Sequence, residues 1–291
     1  MNCTAAIAAA LLATAPLAPL QAAEDWRFGT SGEFSHDDNA TRGLYDGKKA
    51  DNIAVVEGSM TRSLMLSGQS GLLLRAAARY SHFTDVKDIS NLALSGRAAW
   101  RYQPRPEFGA LWYQVVGEAQ LLRHADSELR DGSILGAEAS AGRYVTDRTR
   151  LAAGIGFDKR SGGGTAGLYD LTTMRLFGTA DVRVGVRNTL YARLAHQTGD
   201  HVFSAGSVTG LSGVWEDDPA LRQPLGLAVA NAYRVDATTM IFEVGFNYPL
   251  SSAGGLDFSV ARYDTKVGEG PYEGNKYGAT QIRATYLHRF Q

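Results

Sequence analysis

The sequence contains a single cysteine, Cys3, so no disulfide framework staples the chain. Proline is scarce, at 8 residues, and no apolar run after residue 23 is long enough for a membrane-crossing helix. Neither sign of charge dominates: 29 Lys and Arg stand against 30 Asp and Glu. That balance lacks the basic excess or stripe of a nucleic-acid-binding protein. No Cys/His spacing suits zinc, and Gly162-Gly163-Gly164 and Gly254-Gly255 follow turn logic rather than that of a phosphate cradle, so no cofactor is expected. What is plentiful is glycine, 33 of 291 residues, in a chain that is 44% hydrophobic and therefore not disordered. This mixture suits an exported all-β protein.

Residues 1–23 form an Ala/Leu-rich stretch that ends in Ala22-Ala23, just before the charged Glu24-Asp25. That pattern reads as a secretory signal peptide. It leaves residues 24–291 as one cysteine-free domain, whose stability must come from a large sheet or from a membrane.

Period-two alternation, the mark of a strand, recurs along the rest of the chain. In 71–82, Leu72, Leu74, Ala76, Ala78 and Tyr80 oppose Arg75, Arg79 and Ser81. In 91–102, Leu92, Leu94, Ala98 and Trp100 oppose Ser95, Arg97 and Arg101. The same division holds in 26–36, 149–160, 172–184, 238–248 and 278–290, and more weakly in 52–65, 109–123, 133–145, 189–198 and 255–264. About twelve strands result. The connections alternate long and short, from 37–51 (long) and 66–70 (short) to 250–254 (short) and 265–276 (long). Only a transmembrane up-and-down β-barrel has reason to sort its loops by parity.

The charges agree. All six lysines fall in the longer loops or at adjacent strand ends, whereas arginines occupy strand interiors opposite the apolar face. A charge facing lipid at midplane costs roughly 2–4 kcal/mol, so these arginines must face an interior. Arg143 and Arg262 have the wrong parity, but both sit near strand ends where a long side chain reaches the headgroups.

On this pattern, together with the closing run Gln281-Ile282-Arg283-Ala284-Thr285-Tyr286-Leu287-His288-Arg289-Phe290-Gln291 and the segment Phe34-Ser35-His36-Asp37-Asp38-Asn39, the chain resembles Gram-negative outer-membrane β-barrel proteins, porin-like small channels included. The resemblance implies residence in the outer membrane among its lipids. It also implies recognition of Tyr286 and Phe290 by the barrel-assembly machinery.

Catalysis finds little support. His196 points toward lipid at a strand end, but Thr198 stands where a serine nucleophile is wanted and no Asn partner follows at comparable spacing, so no enzyme is expected. Asp37, Asp38, Asn39, Asp46 and Asp51 in one loop, and Glu216, Asp217 and Asp218 in another, offer oxygen ligands without the spacing of a calcium loop, and no metal is assigned.

The connection 199–236 is far longer than ordinary loops and is apolar in places, with Val202, Phe203, Val208, Leu211, Val214 and Trp215. It is read as a constriction loop folded into the mouth, carrying Phe203, Trp215, Glu216, Asp217 and Asp218; a flap on the rim is the other reading. Arg75, Arg79, Arg97, Arg101, Arg175, Arg183, Arg193 and Arg283 are expected to line the lumen, with Glu118, Glu138, Asp181 and Glu243 as counter-charges. Such a lining suits a substrate-restricted channel for small anionic solutes. A non-conducting structural, assembly or surface-binding barrel, filled by its own ion pairs, is the alternative, and an outer-membrane lipase a remote third. No face of the sequence sets an oligomeric state.

Overall fold

The computed structural model describes residues 26–44, 47–164, 166–205, 214–268 and 272–290. The expected signal peptide lies outside these residues, as do Asp46, Val208 and Leu211. The strands are β1 (Arg27–Asp37), β2 (Asp51–Ser67), β3 (Ser70–Phe83), β4 (Asn91–Tyr102), β5 (Trp112–His124), β6 (Gly132–Tyr144), β7 (Thr149–Gly162), β8 (Leu171–Val184), β9 (Asn188–Ala205), β10 (Val214–Asp217), β11 (Asn231–Pro249), β12 (Gly254–Val267) and β13 (Lys276–Arg289). A short helix, α1 (Pro219–Leu225), follows β10.

All strands but the short β10 pair antiparallel in the ring order β11-β12-β13-β1 and on through β9, which pairs back onto β11. Thirteen strands less β10 make a closed twelve-strand barrel, so no sheet edge is left unpaired in the wall. The seam between the terminal strands runs from Gly29 opposite Arg289 to Asp37 opposite Gln281. Among the described residues no helix is long and apolar enough to cross a membrane. Spanning therefore rests on the strands.

Alternation along each strand puts Phe34, Val56, Leu94, Val115, Leu135, Ile155, Leu176, Leu194, Phe242, Val260 and Ile282 on the outer face, all exposed. They make an apolar belt that runs round the whole wall, far beyond any patch a soluble monomer shows. Aromatic side chains gather at its short-turn end, where Trp100 stacks on Tyr102 at 5.9 Å and His288 meets Phe290 edge-on at 4.9 Å.

The apolar cores sit elsewhere. Leu44, Phe203, Tyr233, Val267 and Tyr272 form one cluster, and Leu168, Tyr169, Leu171, Val202 and Ala232 another. Ile53, Val55, Phe83, Val86 and Ile89 pack with Ala220, Leu221 and Ala230 in a third. All three lie at the long-loop end, above the belt. Lower in the interior the lining is polar, apart from a small cluster of Ala261, Tyr263, Ala279 and Ile241.

The very long connection expected over 199–236 is shorter in the structure, 206–230. Strand β9 runs on to Ala205 and β11 begins at Asn231, with Ala232 opposite Ser204 and Tyr233 opposite Phe203. These extensions stand clear of the bilayer and are covered on both faces, so Val202, Phe203, Ser204, Ala232 and Tyr233 are all buried. With both faces covered, alternation disappears and with it the sequence signature of a strand. Phe203 accordingly belongs to the wall and packs against Tyr272 edge-on at 4.8 Å, rather than to a loop.

Candidate functional site: the lumen and its cap

The inward positions of neighbouring strands stack charge against charge. Arg75 stands opposite Arg97, and Arg97 opposite Glu118. Arg193 stands opposite Glu243. Two like charges in register would repel, and acids on either side hold them. Arg75 pairs with Glu57, and Arg79 reaches Glu33 at 3.8 Å. Arg175 spans two acids, Glu138 at 3.5 Å and Asp158 at 3.8 Å. Gly156 makes room for that reach, since a Cβ there would lie 3.1 Å from the Arg175 guanidinium. Arg150 binds Asp181 at 2.6 Å and Arg283 binds Glu243 at 2.6 Å. Arg101 lies over the Trp112 ring at 4.5 Å, and Arg193 over Phe177 at 5.2 Å. Thus eleven of the twelve expected lining residues face inward within the wall, and Arg183, on the same inner parity, is exposed where β8 ends at the short-turn mouth.

Burial is graded round the ring. Arg283 and Glu243 have side chains only 2% and 4% exposed, whereas Glu138 retains 22% and Asp158 37%. Arg75, Arg79, Arg97, Arg101 and Glu118 are also only partly buried. The β11–β13 side of the lumen is dry and hydrogen-bonded, with Arg283 also donating to Ser259 Oγ at 2.9 Å and Tyr191 to Asp257 at 2.9 Å. On the opposite side Glu138 and Asp158 keep contact with water, although Gln114 and Gln120 of β5 and Arg150 of β7 are buried.

At the long-loop end a cap covers the lumen. Strand β10 pairs with the top of β11, from Val214 opposite Arg234 to Asp217 opposite Asn231. Helix α1 then packs Ala220 and Leu221 onto Ile53 and Val55 of β2 and Phe83 of β3. In the ring β3 is five strands from β11 one way and seven the other, so the segment crosses the mouth from one wall to the other. Its anchor is Asp218, which is fully buried. Asp218 accepts bonds from Arg130 Nε at 2.8 Å and Tyr169 Oη at 2.9 Å, and caps α1 through the Ala220 N–H at 3.2 Å. Burial opposes the Arg130 charge, but Asp218 and Tyr169 outweigh it and raise the guanidinium above its ordinary value. Burial also pushes the Tyr169 phenol far up, aided by Asp218. Both groups therefore stay protonated and go on donating to Asp218. No sequence signal joins these three residues, which come from three different loops.

The remaining candidates separate. Trp215 is exposed and Glu216 and Asp217 are half-buried, with Asp217 paired to Arg222. His196 is exposed on the outer face, between Leu176 and Met240 on the neighbouring strands. Arg143 and Arg262 also face outward, and Arg262 meets Asp264 at 2.8 Å. Asp37 is engaged by Arg42, and Asp51 accepts backbone N–H groups of Thr84, Asp85 and Val86. Among the described residues no group of three or more His, Cys, Asp or Glu is placed to hold a metal ion.

No protein-family model matches the sequence, and no curated protein matches it. Solved structures do. The COG4313 outer membrane channel from Pseudomonas putida F1 superposes with a TM-score of 0.60 at 11% identity, over 91% of this chain and 95% of that one. The CymD monoaromatic hydrocarbon channel gives 0.49 at 10% identity, over 94% and 92%. The translocator domain of the autotransporter NalP from Neisseria meningitidis gives 0.48 at 10%, over 99% and 96%. Closed ring, apolar outer belt and polar interior together are the fold of an outer-membrane β-barrel.

Proposed function

We propose that this barrel is a small outer-membrane channel for polar solutes, with a preference for anions, and that residues 24–291 form it after loss of the leader. The observation that carries the reading is the wet side of the lumen. Glu138 and Asp158 keep 22% and 37% of their side-chain surface although they point into a closed barrel. A barrel filled by its own side chains would bury them. Arg75, Arg79, Arg97, Glu118, Glu138 and Arg175 then line the path, where acids balance the arginines, and the preference for anions comes from Arg101, with which no carboxylate pairs among the described residues. The Pseudomonas protein of the same fold is itself described as a channel. Tyr286, exposed on β13, and Phe290, exposed just beyond it, would serve as the contact for the assembly machinery.

The test is single-channel recording of the refolded mature chain under a salt gradient. Discrete steps with an anion-selective reversal potential support the reading, and Arg97→Glu should reduce or invert that selectivity. Unchanged selectivity removes Arg97 from the lining.

The cap favours a second reading. A segment fixed to both walls by Asp218 and by the Leu221 cluster suits a closed, non-conducting barrel that serves as an anchor or a surface-binding protein. It predicts a folded, heat-modifiable protein that passes no current.

A further inference from the structure

Five lumen arginines, Arg75, Arg79, Arg150, Arg175 and Arg283, are matched to carboxylates. Arg101 is not: among the described residues no carboxylate forms an ion pair with it, and its guanidinium lies instead 4.5 Å above the centre of the Trp112 ring. Trp112 is buried, and among the described residues its indole N–H has no hydrogen-bond partner. The wall is shaped to take this ring. Trp112 stands opposite Gly142 on β6, where a Cβ would come within 2.4 Å of the indole. The pair lies beside the 103–111 connection, at the end of the barrel that carries the short turns 68–69, 145–148 and 185–187, which is the periplasmic mouth by the loop rule for such barrels. Arg150 stands at the foot of the neighbouring wall but is already held by Asp181.

We infer that Arg101, seated on Trp112, is an oxyanion subsite at the periplasmic mouth, where it binds the carboxylate of a transiting solute. The argument rests on the channel reading. A guanidinium held over an aromatic ring by its π-face keeps its N–H donors for other partners. Those donors form a fork that matches a carboxylate or phosphate in two parallel bonds. Stacking also holds the long side chain in place, so less freedom is lost when an anion arrives. An arginine kept only for barrel stability would be expected to resemble Arg283, dry and paired. Arg101 is partly exposed and carries an unbalanced charge.

The test compares wild type, Arg101→Gln and Arg143→Gln in planar bilayers, with succinate, inorganic phosphate or glycerol added to either side. Arg143 faces outward and serves as the control. Succinate should block wild type and Arg143→Gln alike, and about tenfold more weakly in Arg101→Gln, the change expected for one lost charge-assisted bond. Equal block by phosphate widens the ligand to oxyanions in general and supports the subsite. Block that is equal in all three proteins, or equal with glycerol, overturns the inference and leaves the channel reading standing. If no variant conducts, the channel reading fails and tryptophan fluorescence decides the subsite. A succinate-dependent change present in wild type and lost in both Arg101→Gln and Trp112→Phe supports it, and its absence from wild type overturns it.

Discussion

Asp218 and Arg130 meet through two bonds from one guanidinium, Nε and Nη2 each at 2.8 Å, across 88 residues of chain. The pair joins the β9–β11 connection to the β5–β6 loop, and Tyr169 brings in the β7–β8 loop. Asp218→Ala strands the buried Arg130 charge, which costs about 3–5 kcal/mol in comparable pairs. The cost falls on the cap, because the ring of wall pairings does not pass through Asp218. Limited proteolysis should then cut within 214–230 while the barrel stays heat-modifiable. If cleavage matches wild type, the anchor is not Asp218.

The dry and wet sides of the lumen should respond differently to loss of charge. Glu243→Gln leaves Arg283 buried beside a neutral partner and should destabilise the barrel by several kcal/mol, up to about 3–5. Glu57→Gln, at a less deeply buried pair with Arg75 whose side chains keep 15% and 14% of their surface, should cost less than Glu243→Gln. Urea unfolding of both variants in one detergent measures the difference. Equal losses would mean that the whole interior is dry.

Acid should loosen the β5–β6 loop at a defined point. Burial works against the Asp131 charge, but bonds from the His124 backbone N–H, Arg123 and the His124 ring outweigh it and hold the carboxyl below its ordinary 3.8. A carboxyl with a depressed folded value contributes stability that is present above the unfolded value and lost as pH falls through the folded one. Amide protection of residues 125–131 should therefore persist down to about pH 4 and fall off below that. In Asp131→Asn the step should vanish.

Gly142→Ala should disturb the lumen from the far side of Trp112. The new methyl would lie 2.4 Å from the indole and 2.6 Å from the Leu151 carbonyl oxygen, so ring or backbone must move. Overpacking of this kind costs about 1–3 kcal/mol. The same change at Gly117, which faces outward with nothing within 4 Å, should be nearly neutral.

The wall was legible from the sequence because lipid outside and water or ion pairs inside impose a strict period of two. Val56 next to Glu57, or Leu94 next to Ser95, is enough to assign a face. The parity exceptions Arg143 and Arg262 were legible for the same reason, and both do face outward, Arg143 at the end of β6 and Arg262 within β12, where Asp264 and Thr280 hold it. Above the bilayer that contrast is lost. Val202, Phe203 and Ser204 are buried in succession, so the top of β9 looked like loop. The cap was hidden more deeply. Asp218, Arg130 and Tyr169 lie in separate loops, and nothing local in any of them announces the others. Arg101 was read as one more lining arginine, since pairing and stacking depend on register across three strands.

The seam of β1 with β13 carries a consequence for biogenesis. Nine residue pairs join the first strand to the last. Until β13 has been made, β1 has a bare edge of unpaired N–H and C=O groups, and no ribosome-bound intermediate can close the ring. The chain must therefore be kept soluble and unclosed throughout export. A nonsense product lacking β13 would be an open sheet with a sticky margin, prone to pair with its neighbours rather than to remain a smaller working barrel.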